Sequence, residues 1–164
     1  RRSLRSRTQK AKLKFMNIGE NAQDFTLQDG DGKSWTLSEN LGKVIVLLFY
    51  PADDSPVWTK QLCSVRDNWD DYKKTGAEII GISTDSVESH KDFALKHNFP
   101  FKLLADETCE VVGKYEVKSW IPNKSARAVG VIYENGKIAY HKVESLSMFR
   151  PSDEEVLKAI SAAS

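Results

Sequence analysis

Three shortages bound this chain before any motif does. It carries only two cysteines, Cys63 and Cys109, in 164 residues. A chain of that size buries enough surface to do without disulfide staples, which excludes a secreted disulfide scaffold and indicates a reducing compartment. It has no long apolar run: the longest, Val44 to Tyr50, is the size of a strand and far short of the roughly 18 residues of a membrane helix. It also has almost no net charge, with 24 Lys and Arg against 23 Asp and Glu for a formal +1. With 40% hydrophobic residues, this is the composition of one soluble globular domain.

Acidic residues are missing altogether from the start of the chain, where "RRSLRSRTQKAKLKF" precedes the first carboxylate at Glu20. Three readings stand side by side: the remnant of an organelle transit peptide, a basic arm for an acidic partner or an anionic membrane surface, and a solvated tail. A start at Arg1 rather than Met is what a processed or absent N-terminus gives. The chain therefore divides into an arm, residues 1–15, and a domain, residues 16–164. No basic stripe interleaved with aromatics continues the arm, so no nucleic-acid partner is expected. His90, His97 and His141 show no metal-ligand spacing and read as solvated surface groups, the first two on a polar helix face. "GDG" lacks the Lys-Ser/Thr ending of a phosphate loop and opens no helix. Neither a metal nor a cofactor is expected.

What is present is a clear order of elements. "DFTLQDGDGKSWTL" alternates around Asp29-Gly30-Asp31-Gly32 as a β-hairpin, expected to cap the entrance to the main fold. "KVIVLLFY" is a strand buried on both faces. Ser55-Pro56 then starts a helix, with Ser as the cap and Pro at the first position. Leu62, Val65, Trp69 and Tyr72 form its buried stripe, and it ends before Gly76. "AEIIGIS" is a strand, and "DSVESHKDFALKHN" a helix with Asp85 and Glu88 at capping-box spacing. "FKLLAD" is a short strand, followed by a brief helix around Thr108 to Tyr115. "RAVGVIYENGKIAYHKV" is a hairpin through Asn135-Gly136. The last helix starts at Ser152 with Glu155 as its box partner, and buries Val156, Leu157 and Ile160. The fold class is α/β: a thioredoxin-like fold, with a central mixed β-sheet, helices on both faces and an N-terminal β-hairpin.

A loop running off a buried strand into a helix N-terminus favours anions and lowers the pKa of a cysteine placed there. This chain has such a loop, "YPADDSPVWTKQLC". From about Lys14 onward the sequence resembles the peroxiredoxins, most closely the peroxiredoxin Q or bacterioferritin-comigratory group. "DFTLQDGDGKSWTLSENLGKVIVLLFYP" and "GAEIIGISTDSVESHKDFALKHNFPFKLLAD" carry the likeness. That family's signature is Pro, three residues, Thr or Ser, two residues, Cys; here it reads Pro51, Ala52, Asp53, Asp54, Ser55, Pro56, Val57, Trp58. The resemblance implies that Trp58 stands at the peroxidatic position, that Pro51 shields it, that Ser55 hydrogen-bonds peroxide and that Arg127 stabilises the developing charge. Cys63 matches the resolving cysteine.

Indole has one N–H donor and no lone pair suited to displacement on peroxide, so Trp cannot replace the thiolate. The resemblance then implies a protein without thiol-peroxidase activity in a structural or binding role. Its partner would be another protein, such as a large organellar or photosynthetic membrane complex reached through the basic arm. No obligate homo-oligomer is expected, and chloroplast is favoured over mitochondrion, with cytoplasm as the remaining setting. The alternative is a thioredoxin-dependent peroxidase working through Cys63. Five helical residues turn Cys63 by about 140° from Trp58 and carry it about 7 to 8 Å along the axis, so it faces away from the loop. Trp58 itself has two readings, a ring that fills the old pocket or an anchor projecting toward a partner. Asp53 and Asp54 are expected as the ordinary acids of a helix start. Cys109 reads as a packing or surface thiol, and a bridge between the two cysteines is left open.

Overall fold

The computed structural model describes residues 17–144 and 152–164; the basic arm, residues 1–15, lies outside them. Strands β1 (Thr26–Asp29), β2 (Ser34–Thr36), β3 (Ile45–Phe49), β4 (Glu78–Ser83), β5 (Lys102–Ala105), β6 (Arg127–Ile132) and β7 (Ile138–Glu144) form one sheet in the order β2-β1-β5-β4-β3-β6-β7. The β3–β4 and β4–β5 pairs are parallel and the others antiparallel. Among the described residues five α-helices complete it: α1 (Pro56–Asp67), α2 (Trp69–Lys74), α3 (Val87–His97), α4 (Glu110–Lys114) and α5 (Asp153–Ala163). This is the mixed α/β, thioredoxin-like architecture expected from the order of elements.

Strand alternation divides the core into two layers. Val46, Leu48, Tyr50, Ile79, Val129 and Val131 join Trp58, Leu62 and Val65 of α1, Tyr72 of α2, Phe93 of α3 and Val156 and Ile160 of α5. On the opposite face Ile45, Leu47, Phe49, Ile80 and Ile82 join Phe25, Trp35 and the α4 residues Val111 and Val112. Helices therefore cover both faces, and β3, between β4 and β6, is wholly buried. A mixed sheet explains the difference between the apolar run at β3 and the alternating hairpin strands.

The N-terminal hairpin forms, but it does not cap an entrance. Its β1 pairs with β5 through Gln28 and Ala105, so the hairpin extends one edge of the sheet. Its turn passes so close to α3 that a Cβ on Gly30 would lie 3.1 Å from the Lys91 backbone. The second hairpin closes with Tyr133 N–H donating to Lys137 O (2.8 Å), and Gly136 takes φ +89°. That is a three-residue loop with its left-handed position filled by glycine.

The single helix expected after Ser55 is two helices. Asn68 breaks it with φ −103° and ψ 23°, and its side-chain amide donates to Ser64 O at 2.9 Å. Asp153, at the start of α5, fixes the joint by accepting from Tyr72 Oη (2.5 Å), Asn68 Nδ2 (3.0 Å) and the Ser64 hydroxyl. At α3 the cap is Ser86, which accepts from Ser89 N–H, rather than Asp85. Ser152 does cap α5, accepting from Glu155 N–H at 3.2 Å. Ser152→Ala should lower stability by about 1 kcal/mol, read as a smaller urea midpoint at unchanged slope.

Candidate functional site

The carboxyl end of β3 delivers Tyr50 and Pro51 into the loop that starts α1. Ser55 has extended backbone (φ −64°, ψ 124°) and Pro56 opens the helix, but the Ser55 hydroxyl makes no capping hydrogen bond among the described residues. The cap expected of that hydroxyl is therefore absent; proline, which needs no partner for its nitrogen, starts the helix instead. Trp58 is in the first turn and has 0% of its surface exposed. It belongs to the layer built by Tyr50, Leu62, Val65 and Val129. The ring fills the interior, and the reading of Trp58 as a projecting anchor is corrected by its burial. Its Nε1–H has no hydrogen-bond partner among the described residues, an uncommon state for a buried indole.

Arg127 is the first residue of β6, next to Ala128, which pairs with Phe49. Val129 and Val131 face the layer containing Trp58, and by period-two alternation Arg127 is on that same face. Pro51, Ser55, Trp58 and Arg127 thus gather at one end of the sheet. Arg127 is half-buried, burial pulls its pKa below the usual guanidinium value, and its Nε has no hydrogen-bond partner among the described residues. A partly desolvated cation without a bonded Nε suits an anionic or electron-rich ligand.

Cys63 is half-buried on another face of α1, and burial raises its thiol pKa. Cys63 and Cys109 are both free thiols. Helices α1 and α4 pack on opposite faces of the sheet, so the sheet separates Cys63 on α1 from Cys109 at the cap of α4. That answers the open question of a bridge between them.

The largest departure from expectation is beneath the loop. His90 is not a solvated surface group: it is 0% exposed. Its Nδ1 lies 2.9 Å and 3.0 Å from the two carboxylate oxygens of Asp53, and its Nε2 lies 3.0 Å from Leu104 O. A carboxylate and a carbonyl accept, so both ring nitrogens face acceptors, Nδ1 at Asp53 and Nε2 at the Leu104 carbonyl. Asp53 also accepts from Tyr50 Oη (2.7 Å) and Ser89 Oγ (2.6 Å). Burial works to raise the Asp53 pKa, but hydrogen bonds and charge from His90, Ser89 and Tyr50 outweigh it and leave it lowered. The Asp53 backbone N–H donates to Asp85 Oδ2 at 2.8 Å, and Asp85 accepts from Ser83 Oγ at 2.7 Å. Asp53 is thus more than a helix-start acid: it ties the loop to α3 and β4. His97 is also largely buried, with 20% of its side chain exposed, and His141 is half-buried, with burial lowering its pKa. The signal missed in the sequence was helical: His90, Phe93, Ala94 and His97 share one stripe, and that stripe faces inward.

Comparison with known proteins places this site in a family context. The sequence model of the AhpC/TSA family matches residues 18–141. "Peroxiredoxin Q, chloroplastic" from Triticum aestivum is 53% identical over 96 residues, covering 58% of this chain and 44% of that protein. "Putative peroxiredoxin Q, chloroplastic" from Oryza sativa subsp. indica is 42% identical over 123 residues, covering 74% and 57%. The chain thus spans about half the length of the curated relatives it matches. Among solved structures, peroxidoxin BcpB from Mycobacterium tuberculosis superposes with a TM-score of 0.79 at 31% identity, covering 90% of this chain and 96% of that one.

Proposed function

The chain belongs to the AhpC/TSA family, in its peroxiredoxin Q and bacterioferritin-comigratory group, and from that premise we propose that it has lost thiol-peroxidase activity and serves a structural or binding role in the chloroplast. One observation carries the first half. The residue at the signature's peroxidatic position is a tryptophan with 0% exposure, built into the core layer under the loop. Peroxide reduction at that point requires a thiolate to attack the O–O bond, giving a sulfenic acid and a released hydroxide that is protonated to water. The indole supplies no such electron pair, and a sealed interior admits no peroxide to reach it. Ser55 and Arg127 can bind and polarise but cannot attack.

The chloroplast reading rests on the relatives from wheat, poplar and Arabidopsis, which are chloroplastic peroxiredoxin Q proteins by name. The binding role rests on what remains once the chemistry is removed: an intact fold and a basic segment, residues 1–15, with seven Arg and Lys and no acid. That segment suits an acidic protein surface such as one on a large organellar complex.

The test is a stoichiometric addition of hydrogen peroxide to the reduced protein, followed by intact mass measurement. The expected result is no rapid gain of oxygen. Rapid gain of one oxygen, abolished by Cys63→Ala, would instead make Cys63 a peroxidatic thiol and end the inactive reading. For the binding role, the full chain and a version lacking residues 1–15 are compared for comigration with chloroplast complexes; absence of comigration by both would sink it.

A further inference from the structure

On the outer side of α1 the fold brings together the Cys63 thiol, the His97 imidazole and, from the loop before the helix, the Asp54 carboxylate. Cys63 Sγ lies 3.7 Å from His97 Nδ1, and His97 Nε2 lies 3.9 Å from Asp54 Oδ1. The imidazole is held in place from three sides. Phe93 meets it edge-on with centroids 5.1 Å apart, Phe99 stacks on it at 5.4 Å, and Arg66 Nη1 donates to the His97 carbonyl at 2.7 Å. With Nδ1 facing the sulfur, the other nitrogen is buried without a hydrogen-bond partner among the described residues, and the carboxylate beyond it is Asp54. Asp54 Oδ1 accepts from Lys96 Nζ at 3.2 Å and makes no hydrogen bond to the ring, so Phe93, Phe99 and the bonded His97 carbonyl fix the imidazole; a nucleophile within reach of a positioned base is the arrangement that activates cysteine.

We propose that Cys63 is a site of thiol–disulfide exchange with small-molecule disulfides of the glutathione type, with His97 as its base. Burial raises the Cys63 thiol pKa while the Arg66 charge lowers it and that of Asp67 raises it, so at neutral pH the unaided thiol is mostly protonated. His97 takes the proton as the sulfur attacks one sulfur of the disulfide. The new S–S bond forms, the old one breaks, and the departing thiolate leaves with its electron pair and collects the proton from His97. Cys63 is oxidised to a mixed disulfide, and the small disulfide is reduced to one thiol and one protein-bound half. Peroxide is not the reagent here, because Pro51, Ser55 and Arg127 gather around Trp58 at the first turn of α1, whereas Cys63 lies on another face of that helix. The proposal does not rest on the loss of peroxidase activity: one is read as added oxygen, the other as an added glutathionyl group.

The experiment uses the full reduced chain with excess oxidised glutathione, quenched in acid at intervals and assigned by intact mass and peptide mapping. Cys63 should be modified faster than Cys109, and its rate should rise with pH through the imidazole range rather than the higher thiol range. His97→Phe keeps an aromatic ring between Phe93 and Phe99. It should slow Cys63 by about tenfold at neutral pH and move its pH–rate curve to alkaline values, since the contribution of a positioned base is partly returned by the lower nucleophilicity of a more acidic thiol. An unchanged rate and pH profile in a folded His97→Phe protein would overturn the proposal. If that variant does not fold, the wild-type profile decides alone: modification of Cys63 that rises only through the thiol range overturns it equally.

Discussion

Trp58→Cys is expected to convert a chain inert toward hydrogen peroxide into one that gains a single oxygen at residue 58, and to make it less stable by about 3 kcal/mol. The two effects share one cause. The indole fills the layer under the loop, so a thiol in its place leaves a void beside Tyr50 and Leu62 and loses dispersion contacts around it. The same void gives peroxide somewhere to sit. The new sulfur would stand in the first turn of α1, where unpaired N–H groups and the helix dipole lower a thiol pKa. Ser55 makes no capping bond and Arg127 Nε is without a partner among the described residues, so both are free to act. Removing Arg127 in that background, as Arg127→Leu, should cut the rate by about a hundredfold, the usual loss when one charge-stabilising donor is deleted. Trp58→Phe is the control for the stability half. It removes the unpartnered Nε1–H, whose burial costs about 1–3 kcal/mol, and should therefore lose much less than the cysteine variant. Intact mass after peroxide and urea midpoints measure the pair of effects. A folded Trp58→Cys protein that stays inert would mean that Pro51, Ser55 and Arg127 have drifted out of catalytic geometry.

Much of this could be read from residue order, for reasons that are local. A near-continuous apolar run can only be a strand buried on both faces, and β3 is that; Asn135-Gly136 between alternating runs fixes a hairpin; Ser152 and Glu155 at box spacing start α5. Pro51, Ser55, Trp58 and Arg127 are legible as a set because the family signature has fixed spacing, and the fold brings them to one end of the sheet. The features that escaped depend on contacts between distant segments. Asn68 looks like any helical residue until the carboxylate of Asp153, far along the chain, binds Tyr72, Asn68 and Ser64 together and makes a joint worthwhile. Asp85 has the spacing of a cap, but Asp53 and Ser83 recruit it and Ser86 caps instead. His90 reads as a polar helix residue because its partners, Asp53 and the Leu104 carbonyl, are far from it in sequence. A buried histidine cannot be inferred without seeing the carboxylate that makes its burial tolerable.

That buried pair is where the second large effect is expected. Asp53→Ala should lower stability by about 3–5 kcal/mol, because it breaks a buried pair and leaves His90 Nδ1 without its partner. His90→Gln should cost a comparable amount by stranding Asp53 with only Tyr50, Ser89 and backbone neighbours. The double variant should lose less than the sum of the two, since each single change already destroys the shared interaction, and a double-mutant cycle in urea measures the difference. The pair also sets an acid limit. Asp53 has a folded pKa below its ordinary value of 3.8, so the unfolded chain takes up this proton before the native one does. Its contribution is therefore complete above the unfolded value and lost as pH falls through the folded one. Wild-type stability should drop steeply below about pH 4 as Asp53 protonates, and the Asp53→Asn protein, less stable at neutral pH, should show a shallower decline over that interval. Parallel acid slopes in the two proteins would mean that Asp53 is not the carboxylate that holds the loop. The same loss should appear in the geometry of the site, because Asp53 ties the backbone between Pro51 and Ser55 to α3 and β4. In the Trp58→Cys background, Asp53→Asn should therefore depress peroxide reactivity as well as stability, linking the network under the loop to the frame above it.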